Sequence, residues 1–161
     1  MSQRMDYTAV SPDGMKALGG LHQYVFRGGL SKQLLDLVFL RVSQINGCAY
    51  CVGKHSSDLL RDGMAIEKLV LVPDWREAGE LFDPRERASL AWAEAVTWVA
   101  GRRVTDEDFG AAAAVFADKE LADLTIAIGM MNTYNRMAIS FGVPPEASAA
   151  DQKRWPGDVR D

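Results

Sequence analysis

The chain has 161 residues, of which 48% are hydrophobic and 25% are charged, values typical of one globular domain with a sizeable apolar core. Its formal net charge is -4, and it has no run of lysines and arginines, which argues against nucleic acid or an anionic membrane as the main partner. No stretch reaches the roughly 18 uncharged apolar residues of a membrane-spanning helix, and residues 1–10 lack an apolar signal core, so we expect a cytoplasmic protein without a membrane segment.

Helical periodicity and helix-breaking residues divide most of the chain into short helices. The segment after Ser31, a good N-cap residue, is apolar on nearly all sides, so we expect it to be a central, buried helix. Asn46-Gly47 ends that helix, and Gly63 fits the left-handed position after the next one. We predict helices over residues 14–27, 32–45, 48–61, 65–70, 85–100, 105–116 and 119–141.

The clearest start signal is Asp83 as N-cap with Pro84 at the first helical position and Glu86 completing a capping box. Asp118 is predicted to cap the last helix. Residues 68–72 are the only short strand candidate. Residues 1–7 and 147–161 look polar and loosely held, so we expect a core of about residues 15–142 in a single domain spanning 1–161. The prediction is an all-α bundle of about six to eight helices.

The only two cysteines, Cys48 and Cys51, lie three residues apart at the start of a predicted helix. A structural disulfide normally closes a longer loop, so in a reducing compartment such a pair favours redox catalysis, redox sensing or metal binding. A helix N-terminus or a nearby imidazolium lowers a thiol pKa from about 8.5 to about 3.5–7.5, which produces the reactive thiolate. His55, four residues beyond Cys51, should share a helical face with both cysteines and can take a proton from Cys51.

Two alternatives to redox chemistry stay open for this pair. It can be chemically inert, or it can bind zinc together with His55 and His22, although the spacing is not that of a zinc finger. A thioredoxin-like site is not indicated, because the strand that precedes its cysteine pair is missing here. We predict no metal, and His22 is more typical of a surface or hydrogen-bonded core histidine than of a catalyst.

Asp36 interrupts the apolar run of residues 34–40. A carboxylate on such a helix is costly unless it is paired or hydrogen-bonded. It either faces solvent or an ion-pair partner, or it is a buried member of a proton relay that reaches His55. Asn132, Asn135 and Arg136 are polar groups in a later apolar stretch, and we expect hydrogen bonds across helices or subunits, or a place in the active pocket.

Residues 40–55, which read LRVSQINGCAYCVGKH, resemble the core motif of the alkylhydroperoxidase D (AhpD)-like branch of the carboxymuconolactone decarboxylase superfamily. Later blocks at residues 75–78, 86–97 and 132–141 are similar to later blocks of such proteins, in the same order and spacing. The resemblance covers most of residues 34–141. It implies an all-helical fold with the cysteine pair at the N-terminus of a central helix, and assembly into trimers or hexamers.

The resemblance also implies roles for four residues. Cys51 matches the peroxidatic cysteine, which becomes a sulfenic acid, and Cys48 matches the more exposed partner that donates a proton and closes the disulfide. His55 matches the relay histidine, and Asp36 stands where the family has a glutamate. Two departures concern activation of the thiol: Asp36 is one methylene shorter than glutamate, and Tyr50 replaces a second histidine between the cysteines.

The resulting expectation is a thiol-dependent alkyl hydroperoxidase or disulfide reductase of antioxidant defence. Its substrate is a hydroperoxide, it has no bound cofactor, and an external dithiol, a lipoyl group or a thioredoxin-like protein, restores the pair. The alternative is a redox-sensing or adaptor protein whose dithiol switches an interface without peroxide turnover. Lactone decarboxylation is not expected, because the decarboxylase members of the superfamily lack this cysteine pair.

Overall fold

The protein is described over residues 3–145 by a computed structural model, and these residues form eight α-helices, one short 3-10 turn and no β-strand. The all-α prediction is therefore confirmed. The helices are α1 (Tyr7–Val10), α2 (Pro12–Arg27), α3 (Lys32–Asn46), α4 (Ala49–Arg61), α5 (Ile66–Val70), α6 (Pro84–Thr97), α7 (Asp106–Ala113) and α8 (Asp118–Phe141), and the 3-10 turn is Gly79–Leu81.

Helix α3 is the central element of the bundle. It packs against α4, α6 and α8, and all side chains of residues 34–40 are buried. Because its apolar residues cover the whole circumference of the helix, α3 contributes to two apolar clusters. One contains Leu35 and Phe39 together with residues of α8, and the other contains Leu37 and Leu40 together with residues of α4 and α6. Ser31 caps the helix as predicted, and its hydroxyl accepts the N–H of Leu34.

The junction between α3 and α4 orients the cysteine pair. Gly47 has a φ of 70°, in the left-handed region that glycine adopts without strain. The N–H groups of Gly47 and Cys48 donate to the last carbonyls of α3, the latter to Ser43 at 3.0 Å. Helix α4 then begins at Ala49 with Cys48 as its N-cap residue, so the break predicted at Asn46-Gly47 delivers a cysteine to a helix N-terminus.

Helix α6 carries a buried carboxylate, Glu94, which is 2% exposed. One of its oxygens lies 2.6 Å from the Arg41 guanidinium and accepts the indole N–H of Trp75 at 3.0 Å. The other oxygen lies 2.6 Å from Arg76. These contacts join α6 to α3 and to the segment before the 3-10 turn. They outweigh the cost of burial and hold the Glu94 pKa below its usual value.

Some boundaries differ from those predicted. The last helix has Ala117, not Asp118, as its N-cap residue, because the Glu120 side chain accepts the N–H of Ala117 at 3.1 Å. The helix after Thr105 ends at Ala113 and not at residue 116. Residues 68–72 form no strand, since most of them belong to α5.

The start of the chain also differs from the expected loosely held end. The backbone N–H of Arg4 donates to Phe141 at 2.8 Å, and the buried Tyr7 ring lies 5.4 Å from the Phe141 ring. These residues therefore contact the end of α8. The predicted loose tail, residues 147–161, lies outside the described residues. None of the helices within residues 3–145 has the length and apolarity needed to cross a lipid bilayer.

Candidate active site

Both cysteines are present as free thiols at the first turn of α4. The Cys48 sulfur occupies the capping position and accepts the backbone N–H of Cys51 at 3.4 Å. Helix N-termini favour negative charge, so this position stabilises a thiolate. The family resemblance implies that Cys48 is the more exposed cysteine. This difference is not observed, because Cys48 is 2% and Cys51 is 4% exposed. Their burial results from packing against Ala138 of α8.

The two sulfurs have different affinities for a proton. A hydrogen bond from the Cys51 thiol, aided by the Cys51 backbone N–H, lowers the pKa of Cys48 despite its burial. The same contact with Cys48, together with burial, raises the pKa of Cys51. Cys48 is therefore the more acidic of the two thiols, and Cys51 holds its proton more tightly.

His55 lies one turn beyond Cys51 and contacts Asp36, which joins α4 to α3. Its Nδ1 is 3.4 Å from Oδ1 of Asp36, which is longer than a usual hydrogen bond but close enough for an ion pair when the ring is protonated. Burial lowers the His55 pKa, although Asp36 partly opposes this effect. The ring of Phe39, 5.3 Å away between centroids, contributes to this apolar environment. His55 is accordingly a neutral imidazole near neutral pH and can accept a proton.

Asp36 is both ion-paired and buried. The structure thus combines the two predicted alternatives, an ion-paired carboxylate and a buried carboxylate that reaches His55. It is 2% exposed, and its second oxygen lies 2.7 Å from the Lys32 ammonium. Burial opposes its negative charge, but His55 and Lys32 outweigh burial and hold the Asp36 pKa below its usual value. Lys32 also contacts Asp62 at 2.5 Å, and this second contact anchors the lysine between α3 and the end of α4.

The atoms of Asp36, His55 and Asp58 lie within 4.8 Å of one another, a spacing that could hold a metal ion. Both carboxylates, however, already have cationic partners, since Lys32 contacts Asp36 and Lys54 lies 3.1 Å from Asp58. Their charge is thus balanced by side chains of the protein. Among residues 3–145, the cysteines and histidines that a zinc site would use do not form such a group.

A small cavity lies beside the cysteine pair. Its free volume of about 20 Å³ accommodates about one water molecule. Cys51 and His55 lie on its wall, whereas Cys48 does not. The cavity is lined by His22, Tyr50, Cys51, Lys54, His55, Met131 and Tyr134.

A chain of hydrogen-bonded polar side chains joins α3 to α8. Asn135 of α8 is fully buried, and its amide nitrogen donates to the Ser43 hydroxyl at 3.0 Å. The same nitrogen donates to the Met131 sulfur at 3.5 Å. Asn46 connects Asn135 to Asn132. The expected hydrogen bonds across helices are therefore present.

The structure brings together all four predicted site residues, although Cys48 does not line the cavity. Sequence reasoning did not include His22 in the site, but it lies on the cavity wall, 4.5 Å from the Phe26 ring. Its spacing of four residues from Leu18 and from Phe26 places it on an apolar helix face, which was an available signal. Lys32 and Asp58 were also missed, because their relevance depends on contacts between α3 and α4.

Comparisons with known proteins agree with this geometry. The carboxymuconolactone decarboxylase family model matches residues 12–95, which is more than half of the chain. The uncharacterized protein YdfG of Bacillus subtilis is 31% identical over 142 residues, which span 88% of this chain and 96% of that protein.

Solved structures share the fold. A protein of unknown function from Agrobacterium tumefaciens, provisionally named antioxidant defence protein AhpD, is 38% identical with a TM-score of 0.84, covering 89% of this chain and 97% of its own. The debrominase Bmp8 is 21% identical with a TM-score of 0.76 over 89% of this chain and 79% of its own, a likeness of fold alone. This chain belongs to the carboxymuconolactone decarboxylase family and has the AhpD-like fold.

Proposed function

We propose that this protein is a thiol-dependent peroxidase of antioxidant defence in which Cys51 attacks a small hydroperoxide and Cys48 closes a disulfide. The observation that carries the proposal is the shared cavity of Cys51 and His55, with the Cys48 sulfur accepting the backbone N–H of Cys51 at 3.4 Å. The fold alone does not select the reaction, because related folds perform different chemistry. The site residues support this choice.

The first step needs a base, since Cys51 holds its proton at rest. His55 is neutral and lies on the same cavity wall, so it can accept this proton. The resulting imidazolium faces the Asp36 carboxylate at 3.4 Å, which stabilises the positive charge. Cys51 then attacks the peroxide as a thiolate.

The bond changes balance without a bound cofactor. The Cys51 thiolate attacks the terminal oxygen of the hydroperoxide, the O–O bond breaks, and the departing alkoxide takes a proton from His55 to leave as an alcohol. The Cys48 thiol then gives up its proton and attacks the Cys51 sulfenic acid, and the hydroxide that leaves takes this proton to form water. The dithiol loses two electrons, and the peroxide gains them.

The size of the cavity favours small oxidants. A free volume of about 20 Å³ accommodates a molecule close to water in size, so hydrogen peroxide fits with little rearrangement. An organic hydroperoxide with a large substituent needs Tyr50, Met131 or Tyr134 to move. All three side chains are buried, which makes that movement costly.

The reductant is proposed to be an external dithiol, either a lipoyl group or a thioredoxin-like protein. Each electron pair given to peroxide leaves a disulfide between Cys48 and Cys51, and a dithiol reduces such a bond by exchange through a mixed disulfide. Since both sulfurs are at most 4% exposed, the first turn of α4 has to open for this exchange.

We also propose that the protein forms a homo-oligomer. Large apolar side chains remain exposed on long helices, including Tyr24 at 47%, Ile126 at 39% and Ile139 at 46%. Exposed apolar area of this kind is typical of surfaces that associate. Sedimentation at micromolar concentration should give a species larger than the 17.7 kDa chain, and a single species of that mass would contradict the proposal.

The function is tested by following peroxide consumption by reduced protein with dihydrolipoamide as the electron donor. Wild type should turn over peroxide, and Cys51→Ser should abolish turnover. Cys48→Ser should react once and accumulate a sulfenic acid on residue 51 that dimedone traps. Equal turnover by Cys51→Ser and wild type would refute the assignment.

The same experiment distinguishes the peroxidase from the alternative, a redox-sensing or adaptor protein. A protein whose dithiol only switches an interface would form its disulfide rapidly and reversibly, without multiple turnovers. This alternative has a structural basis, because the pair lies at the contact of α3, α4 and α8, where a new bond alters packing. Single-turnover oxidation without catalytic consumption of peroxide would favour it over the enzyme.

A further inference from the structure

His22 is a second histidine on the wall of the cavity that Cys51 and His55 share. It belongs to α2, whereas Cys51 and His55 lie one turn apart on α4. The free volume of about 20 Å³ holds about one small molecule, so a molecule that fills the cavity contacts side chains from several helices at once. A substrate of this size that lies against the Cys51 sulfur therefore also lies against the His22 imidazole.

A row of aromatic rings holds the two imidazoles in place. The His22 ring lies 4.5 Å from the Phe26 ring, and Phe26 lies 5.9 Å from the Phe39 ring, between centroids. Phe39 in turn lies 5.3 Å from the His55 ring. The row crosses from α2 through α3 to α4. Because packed rings have little rotational freedom, the two histidines keep a fixed relation to each other and to the cavity that they line.

Tyr134 fixes the turn of α2 that precedes His22. Its hydroxyl donates to the backbone carbonyl of Leu18 at 3.3 Å, four residues before the histidine. The edge of its ring also faces the His22 ring, with the centroids 6.4 Å apart and the planes at 80°. Since Tyr134 lines the same cavity, α8 holds α2 at the cavity wall. The position of His22 is thus set by packing on two sides.

The proposed reaction leaves one oxygen in need of stabilisation. When Cys51 attacks one oxygen of a hydroperoxide, the O–O bond breaks and negative charge develops on the other oxygen. This displacement is in line, so the departing oxygen lies on the side away from the sulfur. His55 lies one turn from Cys51 on the same helical face, beside the sulfur. A donor from another helix is better placed for the departing oxygen.

We propose that His22 is a catalytic residue whose ring N–H donates a hydrogen bond to the departing oxygen while Cys51 attacks the other oxygen. The inference rests on the proposed function and assigns the far side of its site. An imidazole carries an N–H in both protonation states, and a donor aimed at developing charge accelerates the reaction. His22 keeps its own proton, because His55 protonates the departing oxygen, so atoms and electrons balance as before.

The choice of oxidant tests this role. Hydrogen peroxide releases hydroxide, a strong base, whereas peracetic acid releases acetate, a weak base that departs without a donor. Stopped-flow tryptophan fluorescence gives the second-order rate constant of the reduced protein with each oxidant at pH 7. His22→Phe keeps a ring against Phe26 but removes the N–H. Its rate with hydrogen peroxide should fall by about 100-fold, the low end for loss of one such donor. Its rate with peracetic acid should stay within a few-fold of wild type.

Three further variants make the test specific. His22→Gln restores an N–H donor and should recover most of the rate with hydrogen peroxide. Gln23→Ala is the matched control, because Gln23 is the next residue on α2 and lines a different surface groove, and it should leave both rates unchanged. Tyr50→Phe removes a hydroxyl from the cavity wall. A loss specific to hydrogen peroxide in Tyr50→Phe, without one in His22→Phe, would assign the donor to Tyr50 and overturn the proposal.

A folded His22→Phe protein with an unchanged hydrogen peroxide rate would overturn the proposal. Equal losses with both oxidants would also overturn it, since they would show a structural role only. If His22→Phe does not fold, the smaller apolar variant His22→Leu decides by the same two rates. A wild type that reacts with neither oxidant would refute the proposed function and this inference with it. A reactive wild type without a selective loss in the variant would refute the role of His22 alone.

Discussion

The Nδ1 atom of His55 lies 3.4 Å from Oδ1 of Asp36, and the second oxygen of Asp36 lies 2.7 Å from the ammonium of Lys32. The lysine is 53% exposed at its side chain, whereas the aspartate is 3% exposed. A buried histidine is thus connected to the surface through one carboxylate. This arrangement lets the protein stabilise an imidazolium in a site whose burial otherwise opposes it.

Removing the charge of Asp36 should slow the chemical step. In Asp36→Asn the side-chain shape is kept, but the imidazolium loses its counter-ion, so His55 becomes a weaker base. We expect the rate of peroxide-driven disulfide formation to fall by about 100-fold, the low end of the usual contribution of a general base. Stopped-flow tryptophan fluorescence under single-turnover conditions measures this rate.

Asp36→Glu provides the control for this prediction. It restores the glutamate that the AhpD-like motif implies and keeps the charge, so activity should stay within a few-fold of wild type. An Asp36→Asn protein as fast as wild type would contradict the relay, and a slow Asp36→Glu protein would show that side-chain length decides the geometry.

Enlarging the cavity should change the choice of oxidant. Met131 is 3% exposed and lies on the cavity wall, so Met131→Ala opens space beside Cys51 at a cost of about 2–5 kcal/mol in stability. We expect the ratio of kcat/KM for cumene hydroperoxide over hydrogen peroxide to rise by about 10-fold. The matched control is Met137→Ala, on the same helix but lining a different surface groove, and it should leave the ratio unchanged.

Tyr50 allows a test of thiol activation. It is 4% exposed and lies on the cavity wall next to Cys51. A histidine at this position can carry a positive charge, which lowers the pKa of a nearby thiol. A decrease of one pKa unit gives up to about tenfold more thiolate at a pH below the thiol pKa. Tyr50→His should therefore accelerate peroxide-driven disulfide formation at pH 7 by up to about tenfold.

Tyr50→Phe separates this effect from loss of the phenol hydroxyl. The phenylalanine variant should not be accelerated, since it adds no charge. Equal acceleration in both variants would show that the hydroxyl, and not the absence of a histidine, limits the wild-type rate.

The buried ion pairs of Glu94 should make the stability of the folded protein depend on pH. Its pKa is lowered in the folded state, so its contribution is fully present above the unfolded value of 4.5 and is lost as pH falls through the folded pKa. Glu94→Gln leaves Arg41 without its buried counter-ion and should lower the free energy of unfolding by about 3 kcal/mol at pH 7. The difference from wild type should shrink below pH 4.5.

Urea unfolding at pH 7 and pH 3.5 measures both quantities. The exposed Glu80 is the control, and Glu80→Gln should change stability by at most about 0.5 kcal/mol at either pH. A Glu94→Gln difference that is equal at both pH values would contradict a stabilising role of the ion pair.

The sequence by itself determined most of the helices, though not the short α1, and the position of the cysteine pair. These features are local: Asn46-Gly47 ends one helix, Cys48 then caps the next, and Asp83 with Glu86 forms the capping box at α6. Capping and periodicity act over a few residues, so they can be recognised without knowing the tertiary contacts. The boundary error at Ala117 arose because the adjacent Asp118 has the more typical capping side chain.

Only the tertiary structure decided which side chains meet around the sulfurs. Asp36 and His55 are 19 positions apart, and Asn135 lies 84 positions beyond Cys51, so their contacts depend on how α3, α4 and α8 pack. The charges follow in part from the same packing, because burial lowers the pKa of His55, while His55 on α4 and Lys32 on the same helix lower that of Asp36. A pattern along the chain cannot specify burial between elements, which is why the opposite pKa shifts of Cys48 and Cys51 emerged only from the assembled bundle.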